Sequence, residues 1–461
     1  MALSLAVLSL AAAVDGQMVL RHTSALTALG PHPFGSPRTR AAAEYVAAQM
    51  RDVGLGEVRL QEFQAVGRQG ANVIGVLRAS GPEFLVIATH HDTAPDSPGA
   101  HEASSGPGLL IELGRVFARD ASRPRSLVFV SFDGGHPGAD RGAGASAYLA
   151  TLGSQTKDLV AAVSFGGFGR KDGVPVVQTH GHARKGSGGS YAIAPAWLAR
   201  AALEGASGAE GPLVIGDPGL FSWLYQPAVR TFRLAPSGGE DAVFAEAGLA
   251  TLHVDDSPIK APYSWRDQPT DTPEKLDIDA LARGGQSVMG ALRAIVQAPR
   301  GPVPEPAWFS AFGRVFGPGV LMGLAALSLV PVLAAAFRSR GVALAARAAQ
   351  AALFAVLVWR HPVPALAVLL LPNLASAVGS VAVSVLALSA AAALGTTGFI
   401  GWRRDIVTGT WLEGWEIAVV ALALAASLVP SRPAFAKARP GSSAPRGKGL
   451  PRASRRRPRG R

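Results

Sequence analysis

Cysteine is absent from all 461 residues, which excludes a disulfide scaffold, a thiol nucleophile and a zinc site built on thiolates. Charge is also scarce. Only 16% of residues are charged against 48% hydrophobic, a balance too apolar for a disordered chain. A mean hydropathy of +0.24 directs attention to membrane segments. Acids are missing from one place in particular. Arg432 to Arg461 holds nine Arg and two Lys with no Asp or Glu, so +11 of the formal charge of +12 belongs to this tail. The rest of the chain is close to neutral, and nucleic acid is not an expected partner.

The chain divides into five parts. Residues 1–16 carry a short apolar run, Ala2–Val14, with the length of a signal-peptide core but no basic residues before it. A clipped membrane anchor or a buried first helix fits the same run. Residues 17–299 have globular character. Thr39–Val53 has helical period, with Ala43, Val46, Ala47 and Met50 on one face. Phe84–Thr89, Ser126–Phe132, Leu159–Phe165, Val174–Gln178 and Leu249–Val254 read as strands. Gly108–Ala118 and Leu276–Val296 read as helices. This alternation predicts an α/β domain with a mixed central sheet flanked by helices.

A Pro-rich linker, 300–312, leads into an apolar region, 313–430. Its stretches Gly317–Phe337, Gly341–Trp359, Pro362–Trp402 and Trp411–Pro430 are almost free of charge, and Pro362–Trp402 is long enough for two helices. At about 20 residues per span, a bundle of about five transmembrane helices is expected. The basic tail, 431–461, then falls on the cytoplasmic side and the α/β domain outside. Only Arg347, Glu413 and Glu416 are charged within the spans, which argues against a transporter.

Chemistry-bearing residues gather at strand ends. The first strong strand ends in His90, His91 and Asp92, at the kind of sheet edge where ligands bind. PGAHEASSG follows, with His101 and Glu102 before Ser104 and Ser105. FDGGHPG ends the next strand, with Asp133, Gly135 and His136, and WRDQPTDTPEKLD brings Asp267 and Asp271. Ser104 and Ser105 lack a Gly-x-Ser-x-Gly elbow and read as helix caps. His91 and His101 read as surface or supporting histidines. His180 and His182 sit in a Gly/Ser-rich loop and read as exposed.

In order, spacing and flanks these motifs resemble the zinc aminopeptidases of peptidase family M28, over about residues 18–297. Pro31–Pro37 (PHPFGSP), Asn72–Arg78 (NVIGVLR) and the helix after PGAHEASSG share the likeness. The resemblance implies two zinc ions bridged by one carboxylate, with a separate glutamate as general base. Carried over by position, His90 is the first ligand and Asp92 the carboxylate that orients it. Glu102 takes the bridging position. His136 takes the place of a glutamate ligand, and Asp267 that of the last histidine. Gly135 stands where the general base is expected, and Gly166–Gly167 where another acidic ligand is expected.

The resemblance therefore implies one zinc ion more readily than two: Glu102, His136 and Asp267 would hold one, and His90 with a shared Glu102 is left at the other site, too few ligands for tight binding. It implies a membrane-bound metallopeptidase-like protein whose ancestral reaction removes N-terminal residues from peptide or protein substrates. The alternative is a non-catalytic binding or scaffold subunit of a membrane complex. It is similar in layout to the attachment subunit of the glycolipid-anchor transamidase, and Gly135 and Gly166 favour it.

Overall fold

The computed structural model describes residues 13–301 apart from 121, 137–141, 172, 174, 179–181, 184–190, 193, 208–213, 216–239 and 257–264, together with 309–311 and 314–316. The expected spans, the basic tail, most of the linker and the first apolar run lie outside the described residues, as do His180 and the His182 side chain. Among the described residues no helix is long and apolar enough to cross a membrane.

Helix α1 (Gly16–Thr27) opens the domain, its N-terminus capped by Asp15, which accepts from the Gln17 amide. Val14 is 4% exposed and part of the core. Helix α2 (Pro37–Asp52) follows a capping box in which Ser36 and Thr39 satisfy each other's backbone amides. Its buried face contains the predicted Ala43, Val46, Ala47 and Met50.

Strands β1 (Gly56–Ala65) and β2 (Arg68–Leu77) form an antiparallel hairpin that was not anticipated from the sequence. Then come β3 (Phe84–His90), a π-helical turn at Ala100–Ser104, α3 (Ser105–Ala118) and β4 (Ser126–Phe132). They are followed by α4 (Ala143–Leu152), β5 (Leu159–Phe165) and the short strands β6 (Val176–Gln178), β7 (His182–Ala183) and β8 (Tyr191–Ala192). Helix α5 (Ala196–Ala206), β9 (Val214–Ile215), α6 (Glu240–Glu246), β10 (Thr251–Asp255) and α7 (Ile278–Gln297) complete the domain. β11 (Phe309–Ala311) and β12 (Arg314–Phe316) pair separately.

Eight strands form one mixed sheet in the order β1-β2-β4-β3-β5-β10-β6-β9. The central strands β4, β3, β5 and β10 run parallel. β3, β4 and β5 are buried along their whole length, because helices cover both faces. That explains their near-continuous apolar sequences. Alternate residues serve opposite cores. Leu85, Ile87, Leu127 and Phe129 join the larger core, while Val86, Ala88, Val128 and Val130 join the smaller one. Since the central strands are parallel, His90, Asp133 to His136, Gly166 and Asp255 all emerge at the same carboxyl edge of the sheet.

The serine-cap expectation is corrected. Ser104 makes no cap hydrogen bond and its Oγ is buried without a partner. Ser105 donates to the His101 carbonyl oxygen (2.7 Å) and accepts from the Phe168 amide (2.9 Å). The two hydroxyls face inward because the π-helical turn runs directly into α3, leaving no extended residue to act as a cap.

Candidate metal centre

Four loops at the carboxyl edge bring the sequence-predicted residues together. Glu102, on the π-helical turn, is 7% exposed, and His136, past the end of β4, is also 7% exposed. Asp267 comes from the loop before α7, and its backbone adopts a left-handed conformation, φ 58°. Asp tolerates that region better than most side chains. His136 Nε2 lies 3.1 Å from Asp267 Oδ1 and 3.9 Å from Glu102 Oε2. One ligand atom from each of the three residues lies within 4.8 Å of the others. Zinc bonds of about 2.0–2.2 Å in tetrahedral geometry place ligand atoms about 3.4 Å apart, so the trio is compact enough for one ion.

His90 stands beside this trio. Its Nε2 is buried without a hydrogen bond and lies 3.7 Å from Glu102 Oε2. A buried nitrogen with no partner is costly, and one aimed at a carboxylate fits a shared cation. The donor set of two imidazoles and two carboxylates suits zinc. One protein cation competes for the same carboxylate. Arg266 Nη2 is 3.4 Å from Glu102 Oε1, on a side chain 50% exposed.

Two buried carboxylates hold the ligand loops by their backbones. Asp92 accepts from the amides of Gly135 (2.8 Å) and His136 (3.0 Å). Asp271 accepts from the amides of His101 (2.8 Å) and Glu102 (3.3 Å). Asp92 was expected to orient His90, and its hydrogen bonds go to the β4-loop amides. The carboxylate at His90 Nδ1 is instead Glu240, 2.8 Å away. Nothing local in the sequence marked Glu240, because it reaches the site only through the packing of α6.

The glycines show what replaced the missing groups. A Cβ at Gly135 would collide with His90 Cβ and lie 2.7 Å from both His90 Cγ and Glu240 Oε1. The direction in which a base would extend is therefore filled. A Cβ at Gly166 would lie 3.4 Å from His253 Nε2. Asp133, a neighbouring acid, accepts from the amides of Ala71 (3.1 Å) and Gly134 (2.9 Å), so one of its oxygens is turned toward β2. His91 and His101 are buried rather than on the surface. His91 pairs with Ser131 (2.9 Å) and His101 with Asp256 (2.5 Å).

Electrostatics follow from this packing. Burial acts to raise the Glu102 carboxyl, but the neighbouring His90, with His136 and Arg266, brings it down to about 2. Burial acts to lower His136, and its hydrogen bond to Asp267 with the Glu102 charge raises it instead. Burial dominates at Asp133, raised to about 7 with a further push from Asp92. It also dominates at Asp271, raised to about 6. The site holds anionic Glu102 beside imidazoles that must release protons before binding an ion.

The family model described as peptidase family M28 matches residues 72–204. That stretch contains His90, Asp92, Glu102, Gly135 and His136, and it bears out the M28 zinc-aminopeptidase resemblance read from the sequence. No curated protein matches by sequence. A zinc aminopeptidase from Bacillus subtilis is 14% identical, with a TM-score of 0.49 over 61% of this chain and 95% of that one. A glutaminyl cyclase from Porphyromonas gingivalis is 16% identical, with a TM-score of 0.48 over 61% and 99%. A Zn-dependent exopeptidase from Parabacteroides distasonis is 14% identical, with a TM-score of 0.48 over 62% and 99%.

Proposed function

We propose that residues 17–299 form a single-zinc, metallopeptidase-like domain whose ancestral reaction is the removal of N-terminal residues from peptides. The observation that carries this reading is the convergence of Glu102, His136 and Asp267 on one point, with His90 beside them. Zinc held there supplies a Lewis acid for a scissile carbonyl and lowers the pKa of a water. The chain's own contribution is the placement of the donors. Asp92 and Asp271 fix the backbones that carry His136 and Glu102, while Arg266 sits on Glu102 Oε1 and leaves Oε2 facing the two imidazoles. With glycine at 135 and Asp133 turned toward β2, no carboxylate among the described residues of the β4 loop takes the proton. General-base loss costs about 10²–10⁴-fold, so hydrolysis is slow.

The filled space at Gly135 favours a second reading, a non-catalytic subunit that keeps the fold to bind a peptide or a membrane-complex partner. In both readings the apolar region 313–430 tethers the domain outside the cytoplasm and the basic tail lies inside. The support for this placement is the hydropathy and the Lys/Arg distribution.

The test is the zinc content of the purified full-length protein beside a His136→Ala variant, followed by aminoacyl-anilide hydrolysis. One zinc per chain, lost in the variant, with slow zinc-dependent hydrolysis supports the peptidase reading. Zinc without turnover supports the binding subunit. A zinc-free wild type overturns the metal centre.

A further inference from the structure

The two nitrogens of His90 face different neighbours. Nε2 lies 3.7 Å from Glu102 Oε2 and Nδ1 lies 2.8 Å from Glu240 Oε1, an ion-pair contact, and neither His90 Nε2 nor Glu240 Oε1 has an aligned hydrogen bond. Glu240 is the first residue of α6 and is 2% exposed. Its carboxylate and the His90 ring together occupy the volume that any side chain at 135 would enter. The two oxygens of Asp92 accept the Gly135 and His136 amides of the β4 loop instead. An imidazole offers a lone pair to a metal from one nitrogen when the other carries the proton. A carboxylate at that other nitrogen sets both the tautomer and the ring plane.

We infer that Glu240 is the positioning residue for His90, holding the ring through Nδ1 so that Nε2 faces Glu102 and an ion shared with it. The inference rests on the zinc-centre reading above. It gives the exchange at 135 a physical consequence: glycine there removes a side chain from the β4 loop and opens the approach through which α6 supplies a carboxylate.

Zinc affinity of the full-length protein, measured by competition with a chromophoric chelator, tests this with a double-mutant cycle. Cobalt(II) absorption spectra of the same proteins provide a second readout. Glu240→Ala is expected to weaken zinc binding about 10- to 100-fold. Glu240→Gln, which keeps the shape and an acceptor oxygen but not the charge, falls between Glu240→Ala and wild type. In a His90→Ala background, Glu240→Ala costs nothing further, and the cobalt spectrum of Glu240→Ala approaches that of His90→Ala. A purely structural role would produce the same loss in both backgrounds and overturns the inference, as does wild-type affinity in Glu240→Ala. Should Glu240→Ala fail to fold, the near-isosteric Glu240→Gln carries the comparison. A wild type that takes up no zinc overturns the metal centre and this inference together. Zinc uptake unaffected by Glu240 overturns the inference alone.

Discussion

The two sides of the candidate centre were altered in different ways. On the side formed by the β4 loop and the loop before α7, the positions implied by the resemblance hold other ligand types, His136 and Asp267, and these face each other at 3.1 Å. Around His90, at the end of β3, the positions expected to carry carboxylates hold glycine instead, Gly135 on the β4 loop and Gly166 after β5. Replacing one donor by another preserves the ability to coordinate. Replacing a donor by glycine gives up its volume: at Gly135 it is taken by His90 and Glu240, whereas a Cβ at Gly166 would meet Asp255 and His253 only at 3.4 Å, ordinary contact. A donor side chain is therefore blocked at 135 and not at 166.

The largest effect should come from the residue shared by both sides. Glu102 lies within 4 Å of both His90 and His136, so Glu102→Ala should reduce zinc to background by elemental analysis. Wild-type zinc in that variant would break the comparison at its centre. Next comes Gly135→Glu, which restores the residue type expected of a general base. The filled space predicts destabilisation of about 3 kcal/mol in denaturant unfolding, the upper end of overpacking costs, with no gain in hydrolysis. A stable variant with raised turnover would show that the space can reopen.

Arg266→Ala sharpens the comparison from outside. It removes a half-exposed cation from Glu102, and exposed pairs contribute at most about 1 kcal/mol. Zinc affinity should rise about two- to fivefold with the melting temperature unchanged. An unaltered affinity would mean that Arg266 does not compete.

The smallest effect concerns His32, a buried histidine packed against the loop that follows β3. Burial lowers its pKa, only partly offset by hydrogen bonds to the backbone of Gly30 and His91. The neutral ring is favoured in the folded state, so the unfolded chain takes up this proton first. Its contribution to stability is full above about pH 6.5 and is lost as the pH falls toward the depressed folded value. His32→Gln should flatten the acid limb of the melting-temperature profile between pH 7 and 5. An unchanged slope would show that His32 is not one of the groups that set it.

Much of the fold was legible because burial on both faces imposes continuous apolar runs. Ser126–Phe132 and Leu159–Phe165 are strands with the bounds read from the sequence. The β1–β2 hairpin was not legible. β1 is an edge strand with mostly exposed or half-exposed positions, and its charged residues carry little period-2 signal. At the site, His90, Glu102, His136 and Asp267 were found through motif order, and the structure brings them together. The supporting residues were harder to assign. Asp92 was placed on His90 and proved to hold the β4 loop, while Asp271 was noted without a role and Glu240 was not noted at all.

The sequence by itself determined the α/β layering and the ligand types at the sheet edge, because periodicity and residue chemistry are properties of local segments. Only the tertiary structure decided which carboxylate serves which histidine, and that the space beside Gly135 is taken. Those outcomes depend on the angle at which α6 meets the carboxyl edge of β3. That angle is set by the packing of Phe244 against Phe132 and Tyr148 in the smaller core, a sum of contacts between segments distant in the chain.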